Sequence, residues 1–252
     1  MKPLKTRFST FLTHLGLSAM VAVIAIILVF FVWYPTPLYD AQGVTRIFLL
    51  LLAVDISIGP LITLLTYKPT IGFLKFDLPV IILLQVLALL YGMHTVFQAR
   101  PAFIVFNRSN FSVVRVVDLE AKSLKLAQAN NNEAAIPSWF TPRWVAAIPS
   151  KDVNRQNEVL FSKTDWNQLA ESFAPLNQAK EQLLNKAHSL QDLKSLYEKN
   201  NVVLAQLNAL QGNIKWLPLM ALAKNMVVLI NADTGEVITI LDIDPTPNAK
   251  AA

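Results

Sequence analysis

The chain has no cysteine and only seven glycines among its 252 residues. Without cysteine there are no disulfides, thiolate metal sites or cysteine nucleophiles. The glycines are all more than ten residues apart, which rules out both the G-x-G-x-x-G dinucleotide turn and the P-loop. Neither G-x-S-x-G nor H-E-x-x-H occurs. Asp242-x-Asp244 is too little to define a calcium site, and spacing pairs none of the C-terminal carboxylates as acid and base. The expectation is therefore a protein that is not an enzyme, with no catalytic residues, cofactor or metal. Charge is also scarce, at 15% of residues. The net +5 is spread without a dense basic stripe, so nucleic acid has no support as a partner.

What the chain has instead is apolar length, with 54% hydrophobic residues concentrated in the first hundred. Residues 1–99 carry six Lys/Arg and three Asp/Glu, against sixteen and fourteen in 100–252. Three runs, about 15–34, 44–67 and 78–97, are each long enough to cross a hydrocarbon core of roughly 30 Å. The first ends in Trp33-Tyr34-Pro35, an interfacial pair rather than a small-residue cleavage site, and is expected to stay as an anchor. Gly16-Leu17 could pass for a prepilin cleavage point, but Val21 stands where pilins usually carry Glu, and two more spans follow. Lys/Arg counts put the N-terminus and the 68–77 loop in the cytoplasm and the 35–43 loop outside. The expected fold is a three-helix transmembrane bundle in residues 1–100, then an α+β periplasmic domain in 101–244 and a disordered tail in 245–252. The lipid bilayer is thereby a partner.

The second run carries Asp55 close to its centre, roughly 16 Å from Val44 and 18 Å from Tyr67. A carboxylate at that depth costs several kcal/mol unless it is paired, protonated or turned into protein. Gly59-Pro60 follows it, and the proline leaves the Ile56 carbonyl without its helical donor. The candidate intramembrane residues are Asp55, Gly59, Pro60, Gln85 and Tyr91. Depth counting sets Tyr91 level with Asp55 and Gln85 about a turn and a half away. Asp55 reads first as a structural lock between helices and second as a recognition point for a partner helix. His14 and His94 read as interfacial residues at opposite membrane faces, too far apart to share a haem, and His188 as solvent-facing on a helix.

In the C-terminal half, 102–106 and 111–117 are expected as strands joined by a turn at 107–110, and 119–128 as a helix. Leu176, Leu183, Leu190, Tyr197 and Leu204 repeat every seven residues, which suits one or two helices divided near Asn200. They are expected to bury one face rather than form an intermolecular coiled coil, because Lys186 and Asn200 interrupt the rows. The stretches 226–230 and 236–241 flank a hairpin turn, and 215–222 could add a strand that Pro218 would confine to an edge. Trp139, Phe140, Arg143 and Trp144 are candidate partner contacts, because Trp and Arg are favoured interface anchors. The alternative reading is that these aromatics fill the core.

Trp33-Tyr34-Pro35-x-Pro37-Leu38, then Val54-Asp55-x-x-x-Gly59-Pro60-Leu61-x-Thr63-Leu64, then Asp77-Leu78, Gln85, Ala88-Leu89-x-Tyr91-Gly92 and Ala99-Arg100-Pro101 form an ordered set of motifs. In order and spacing this set resembles the type IV pilin accessory proteins of the TfpX/TfpZ type. The likeness covers roughly residues 33–106; beyond them the match rests on Leu217-Pro218-Leu219 and the final hairpin. The resemblance implies a bacterial inner-membrane, chaperone-like accessory protein that binds a cognate major type IV pilin and promotes its stability or assembly. It also implies other pilus-assembly membrane proteins as partners. The alternative from the residues is a membrane-anchored periplasmic sensor, weakened by how little chain is left in the cytoplasm.

Overall fold

The computed structural model describes residues 2–68, 76–149, 152–162 and 165–246. The chain divides into two compact units, 1–36 with 43–99 and 37–42 with 100–252. In the first, α1 (Lys2–Ile27) continues as a π-helical turn over Leu28–Trp33. The short α2 (Leu38–Gln42) belongs to the second unit. α3 (Val44–Thr66) and α4 (Leu78–Gln98) complete the first.

The apolar spans are Arg7–Trp33, Val44–Thr66 and Leu78–Gln98. The first begins earlier than the expected residue 15. Its polar residues are compatible with that depth because they bond internally: Thr13 Oγ1 donates to the Ser9 carbonyl at 3.0 Å, which hides the hydroxyl from lipid. α3 is the middle helix and packs on both α1 and α4. Side chains such as Phe31, Ile47, Leu50, Leu65 and Leu90 point outward. An apolar exterior of this extent is stable in lipid and not in water.

The second unit is a mixed sheet with helices on both faces. β1 (Pro101–Asn107) and β2 (Asn110–Arg115) form the expected hairpin, and α5 (Ala121–Ala129) follows. β3 (Arg143–Ala147) lies inside the proline-punctuated aromatic stretch. α6 (Val153–Ser162) and β4 (Phe173–Pro175) come next. The expected one or two helices are instead α7 (Lys180–Lys186), a two-residue β5 (His188–Ser189), α8 (Leu190–Leu196) and α9 (Asn201–Asn208), and the division expected near Asn200 falls between the last two. A capping box restarts the chain at Ser189, whose side chain accepts from the Asp192 N–H while Asp192 accepts from the Ser189 N–H. His188 therefore sits on a strand, its ring 4.8 Å from that of Trp216. β6 (Ile214–Met220), β7 (Met226–Asn231) and β8 (Val237–Leu241) close the sheet. The tail lies outside the described residues beyond Thr246, as do residues 69–75 of the second loop.

Strand order is β4-β3-β1-β2-β6-β7-β8, with β5 beside β6. The β1–β3 and β2–β6 pairs are parallel and the others antiparallel. β1 is buried on both faces, so it reads as an unbroken apolar run rather than an alternation. Ile104 and Phe106 join Leu38, Ala41 and Leu183 on one face, while Phe103 and Val105 join Ala127 and Phe173 on the other. β7 alternates likewise: Val228 and Ile230 share the first cluster, and Val227 and Leu229 pack with Leu193 and Leu207 of α8 and α9. The seven-residue rows thus bury a face within this unit.

Pro218 is not on an edge strand. β6 pairs with β7 from Ile214 to Leu219, and on its other side with β5 at Lys215 and Trp216 and with β2 at Leu219 and Met220. The proline falls in the gap between those two partners, where no ladder N–H is demanded.

α6 is held mainly by two side chains, Arg155 and Val159, both buried. The Arg155 guanidinium bonds Glu120, lies 2.8 Å from Glu171 and 3.2 Å from Glu158, and Glu158 in turn pairs with Lys122. Burial works against the Arg155 charge, but the bonds to Glu120 and Glu171 outweigh it and hold the guanidinium more firmly protonated than usual.

α2 enters the core of the second unit from between two membrane helices. Leu38 and Ala41 are fully buried there, and the Ala41 carbonyl accepts from the Ala223 and Lys224 N–H groups at 2.9 and 3.2 Å. A bilayer cannot pass through one packed core, so residues 37–42 and the chain after Arg100 must share a side of the membrane.

In this cysteine-free chain, a single cysteine at exposed Asp40 or at Asn131 should react with a membrane-impermeant maleimide from the same side, and one at Thr70 only from the other. Labelling of Asp40 and Thr70 together would reverse that topology. Arg155→Met should cost about 2 kcal/mol, because it leaves the half-buried Glu120 and Glu171 carboxylates without their cation, and should lower the melting temperature far more than Lys122→Met does. The Glu158 carboxyl is held below its usual range, first by Lys122 and then by Arg155. Its contribution is therefore complete above about pH 4.5 and is lost as pH falls through its lower folded value, which a melt series from pH 7 to 3 would register.

Candidate functional site

Polar groups in the first unit are placed at four levels along the helices. At one end, the Arg7 guanidinium donates to the carbonyls of Leu64 and Leu65, the latter at 2.7 Å. A cation suits that position, the C-terminal end of α3. Next, His14 Nδ1 lies 2.8 Å from Thr63 Oγ1, with both side chains buried. His14 is therefore inside the bundle rather than interfacial, because α1 spans from Arg7. In the middle, Gln85 Nε2 donates to the Asp55 carbonyl at 2.8 Å. At the far end, Tyr34 Oη donates to the Val96 carbonyl at 3.0 Å, and the Trp33 and Phe97 rings meet at 4.9 Å.

Gly59 is what lets Gln85 reach α3. A Cβ at Gly59 would lie 1.9 Å from Gln85 Cδ, and one at Gly92 would lie 2.2 Å from Leu51 Cδ1. These two glycines let side chains of the neighbouring helix seat against backbone, as small residues do in membranes. Pro60 is buried beside Gly59, and α3 runs through it without a break. A cavity of about 70 Å³ lies here, lined by His14, Ser18, Asp55 and Gln85 among apolar neighbours. Gln85 Oε1 is buried without a partner among the described residues. Tyr91, the residue level with Asp55, is 77% exposed and faces outward. The helix–helix contact expected of it is made by Gln85.

The aromatic candidates of the second unit separate into two kinds. Trp139 and Phe140 are 70% and 66% exposed. Trp144 is half-buried against the core, edge-on to Phe111 at 5.2 Å. Arg143 donates to the carbonyls of Glu133 and Ile136 at 2.7 and 3.1 Å, and so ties down the turn that precedes Trp139. The polar loop before it is equally committed: Asn131 takes φ 51°, and the Asn132 side chain bonds both the Ala134 N–H and the Phe173 carbonyl. Sequence reasoning missed a second exposed apolar group, Val153, Leu160 and Phe161 on α6. The signal was present as apolar residues flanking a polar stretch, but α6 itself was not recognised. Among the described residues, no cluster of His, Asp or Glu could hold a metal ion.

Comparison with known proteins bears on what these arrangements serve. The profile of the family described as "Fimbrial assembly protein FimB" matches residues 2–43. A fimbrial assembly protein of Dichelobacter nodosus, serogroup I, is 26% identical over 250 residues, covering 88% of this chain and 94% of the relative. The serogroup E1 protein is 25% identical over the same shares. The protein of serogroups C1 and C2 is 33% identical over 108 residues, 42% of this chain and 82% of the relative. No solved structure matches the chain.

The polar contact at Gly59 can be checked by size alone. Gly59→Ala should expel Gln85, cost up to about 2 kcal/mol of helix association and lower the amount of protein in membranes. Gln85→Ala in the same chain should restore part of that amount, since it vacates the space. Equal levels of the single and double variants on a quantitative blot would contradict this packing.

Proposed function

The chain belongs to the family of fimbrial assembly proteins, and from that premise we propose that it is an inner-membrane accessory protein that binds a cognate major type IV pilin before polymerisation. A role in pilus assembly and a membrane-embedded first unit are already supported by the relatives and the three apolar helices. The likeness to the serogroup I protein along 88% of the chain carries the reading, because it includes both units. The proposed orientation has the N-terminus in the cytoplasm and the second unit in the periplasm, as the Lys/Arg distribution favours. The action proposed is chaperone-like, stabilising the pilin and handing it on, with contact to other pilus-assembly membrane proteins.

Two features make such a role physically reasonable. The bundle has a small cavity beside Asp55 that a partner helix could meet, and the second unit has exposed Trp139 and Phe140. Modest contacts at two points on one scaffold reinforce each other through effective concentration, so neither needs a large interface.

The test is co-purification and crosslinking of pilin from native membranes, paired with counts of surface pili in a deletion strain. Normal pili in the deletion strain, with no pilin captured, would end this reading. A finer outcome follows from α2. Replacing residues 100–252 with those of a relative serving another pilin leaves Leu38 and Ala41 facing a foreign core. A swap that carries 37–42 as well should express better and transfer pilin preference.

A further inference from the structure

The contact between α3 and α4 does not explain why an acid stands at position 55. Gln85 Nε2 bonds the Asp55 carbonyl, which any residue would supply. The carboxylate itself takes no hydrogen bond or ion pair among the described residues. His14 is the titratable side chain that interacts with it electrostatically, but its Nδ1 is turned to Thr63 Oγ1 at 2.8 Å. Gln85 Oε1 is also buried without a partner, so two acceptors in one small region lack a donor. An unpaired carboxylate is costly at this depth, and intramembrane acids that persist pair with another polar group.

The carboxylate borders a cleft. α1 and α4 each pack on α3 but hardly on each other. The cavity of about 70 Å³ lies between them, walled by Leu17 and Ser18 of α1 and by Gln85 and Val86 of α4, and α3 contributes Asp55 alone. Leu17 and Val86 are 49% and 46% exposed, so the cleft opens toward lipid. A water takes about 30 Å³ of liquid, which leaves room for the polar end of one side chain.

Chemistry and depth together identify the occupant. A lipid tail has no donor, and a headgroup amine does not reach the midplane. A second copy of the chain offers no cation there either, because the three spans hold only two Lys/Arg residues, Arg7 and Arg46. Arg46 is nine residues before Asp55, and Arg7 bonds Leu64, nine residues after it. Each is thus roughly 13 Å away along α3, and copies inserted the same way keep that offset. We infer that the cleft between α1 and α4 takes a transmembrane helix of a different protein, and that a basic side chain at mid-depth on that helix pairs with Asp55. The inference deepens the reading above and rests on it only for the partner's identity, which would then be the pilin. Asp55 is thereby a recognition residue, while Gln85 and Gly59 hold the helices together.

The test uses the full-length chain with an acceptor dye on Asp40→Cys, reconstituted in phosphatidylcholine vesicles. Its probes are donor-labelled leucine–alanine transmembrane peptides with Lys, Leu or Glu at the centre. Energy transfer should show the Lys peptide associating about tenfold more tightly than the Leu peptide, and the Glu peptide no better than Leu. Asp55→Asn should remove the Lys advantage yet leave membrane abundance and melting unchanged, because asparagine keeps the carbonyl that Gln85 uses. Leu17→Trp, at the exposed rim of the cleft, should block the Lys peptide as well. A Lys peptide that binds no better than the Leu peptide, or an advantage that survives Asp55→Asn, overturns the inference. A Glu peptide that binds as tightly as the Lys peptide does the same. Capture of pilin from native membranes is scored separately. Capture that is indifferent to Asp55→Asn sinks the cleft and leaves the pilin reading standing; Asp55-dependent binding of the Lys peptide without capture of pilin does the reverse.

Discussion

The pair of hydrogen bonds onto the Ala41 carbonyl constrains the whole molecule. With Leu38 and Ala41 in the sheet's core, the link between the first two membrane helices becomes part of the globular unit. The chain therefore enters that unit at residue 37, leaves it after 42 and re-enters at 100. Without α2, the cluster that holds Phe106, Leu217 and Val228 would lose Leu38 and Ala41, at about 25 cal/mol for each Å² of apolar surface left to water. The helices and the sheet are thus not an anchor with a domain hung from its end. They are interleaved in sequence, and changes in one must respect the other.

The membrane half was largely legible because runs of about twenty apolar residues need no tertiary information to be recognised. Hairpins were legible for a similar reason, since Asn107–Asn110 and Ala232–Gly235 carry their turn chemistry locally. The partner of Asp55 was not. Counting rise along α4 finds residues at the right depth, but Tyr91 and Gln85 are six apart, about 240° around the helix. Depth chose Tyr91 and rotation excluded it. His14 was misplaced because the basic stretch before it read as lying outside the span, whereas the span begins at Arg7.

Other features were hidden because they depend on distant chain. α6 shows few apolar residues to a core, and its anchor is a guanidinium surrounded by Glu120, Glu158 and Glu171. No local pattern announces such a set. Pro218 argued for an edge strand, yet it fits the interior of the sheet because two different partners leave a gap opposite it. The leucine rows identified a buried face and the break near Asn200, but not the earlier break at His188–Ser189, which the Ser189-x-x-Asp192 capping signature marks in the sequence.

Synthesis order gives α2 a further significance. Its carbonyl partners, Ala223 and Lys224, are made more than 180 residues after Ala41, which at about 5–20 residues per second is roughly 10 to 40 seconds later. Through that interval Leu38 and Ala41 have no core to enter, although the helices flanking them are already complete. Folding of the sheet is then a late event that only a nearly finished chain can reach. A ribosome that stops before the last strands leaves a product with inserted helices and an unclaimed apolar turn, and quality-control proteases can recognise that difference.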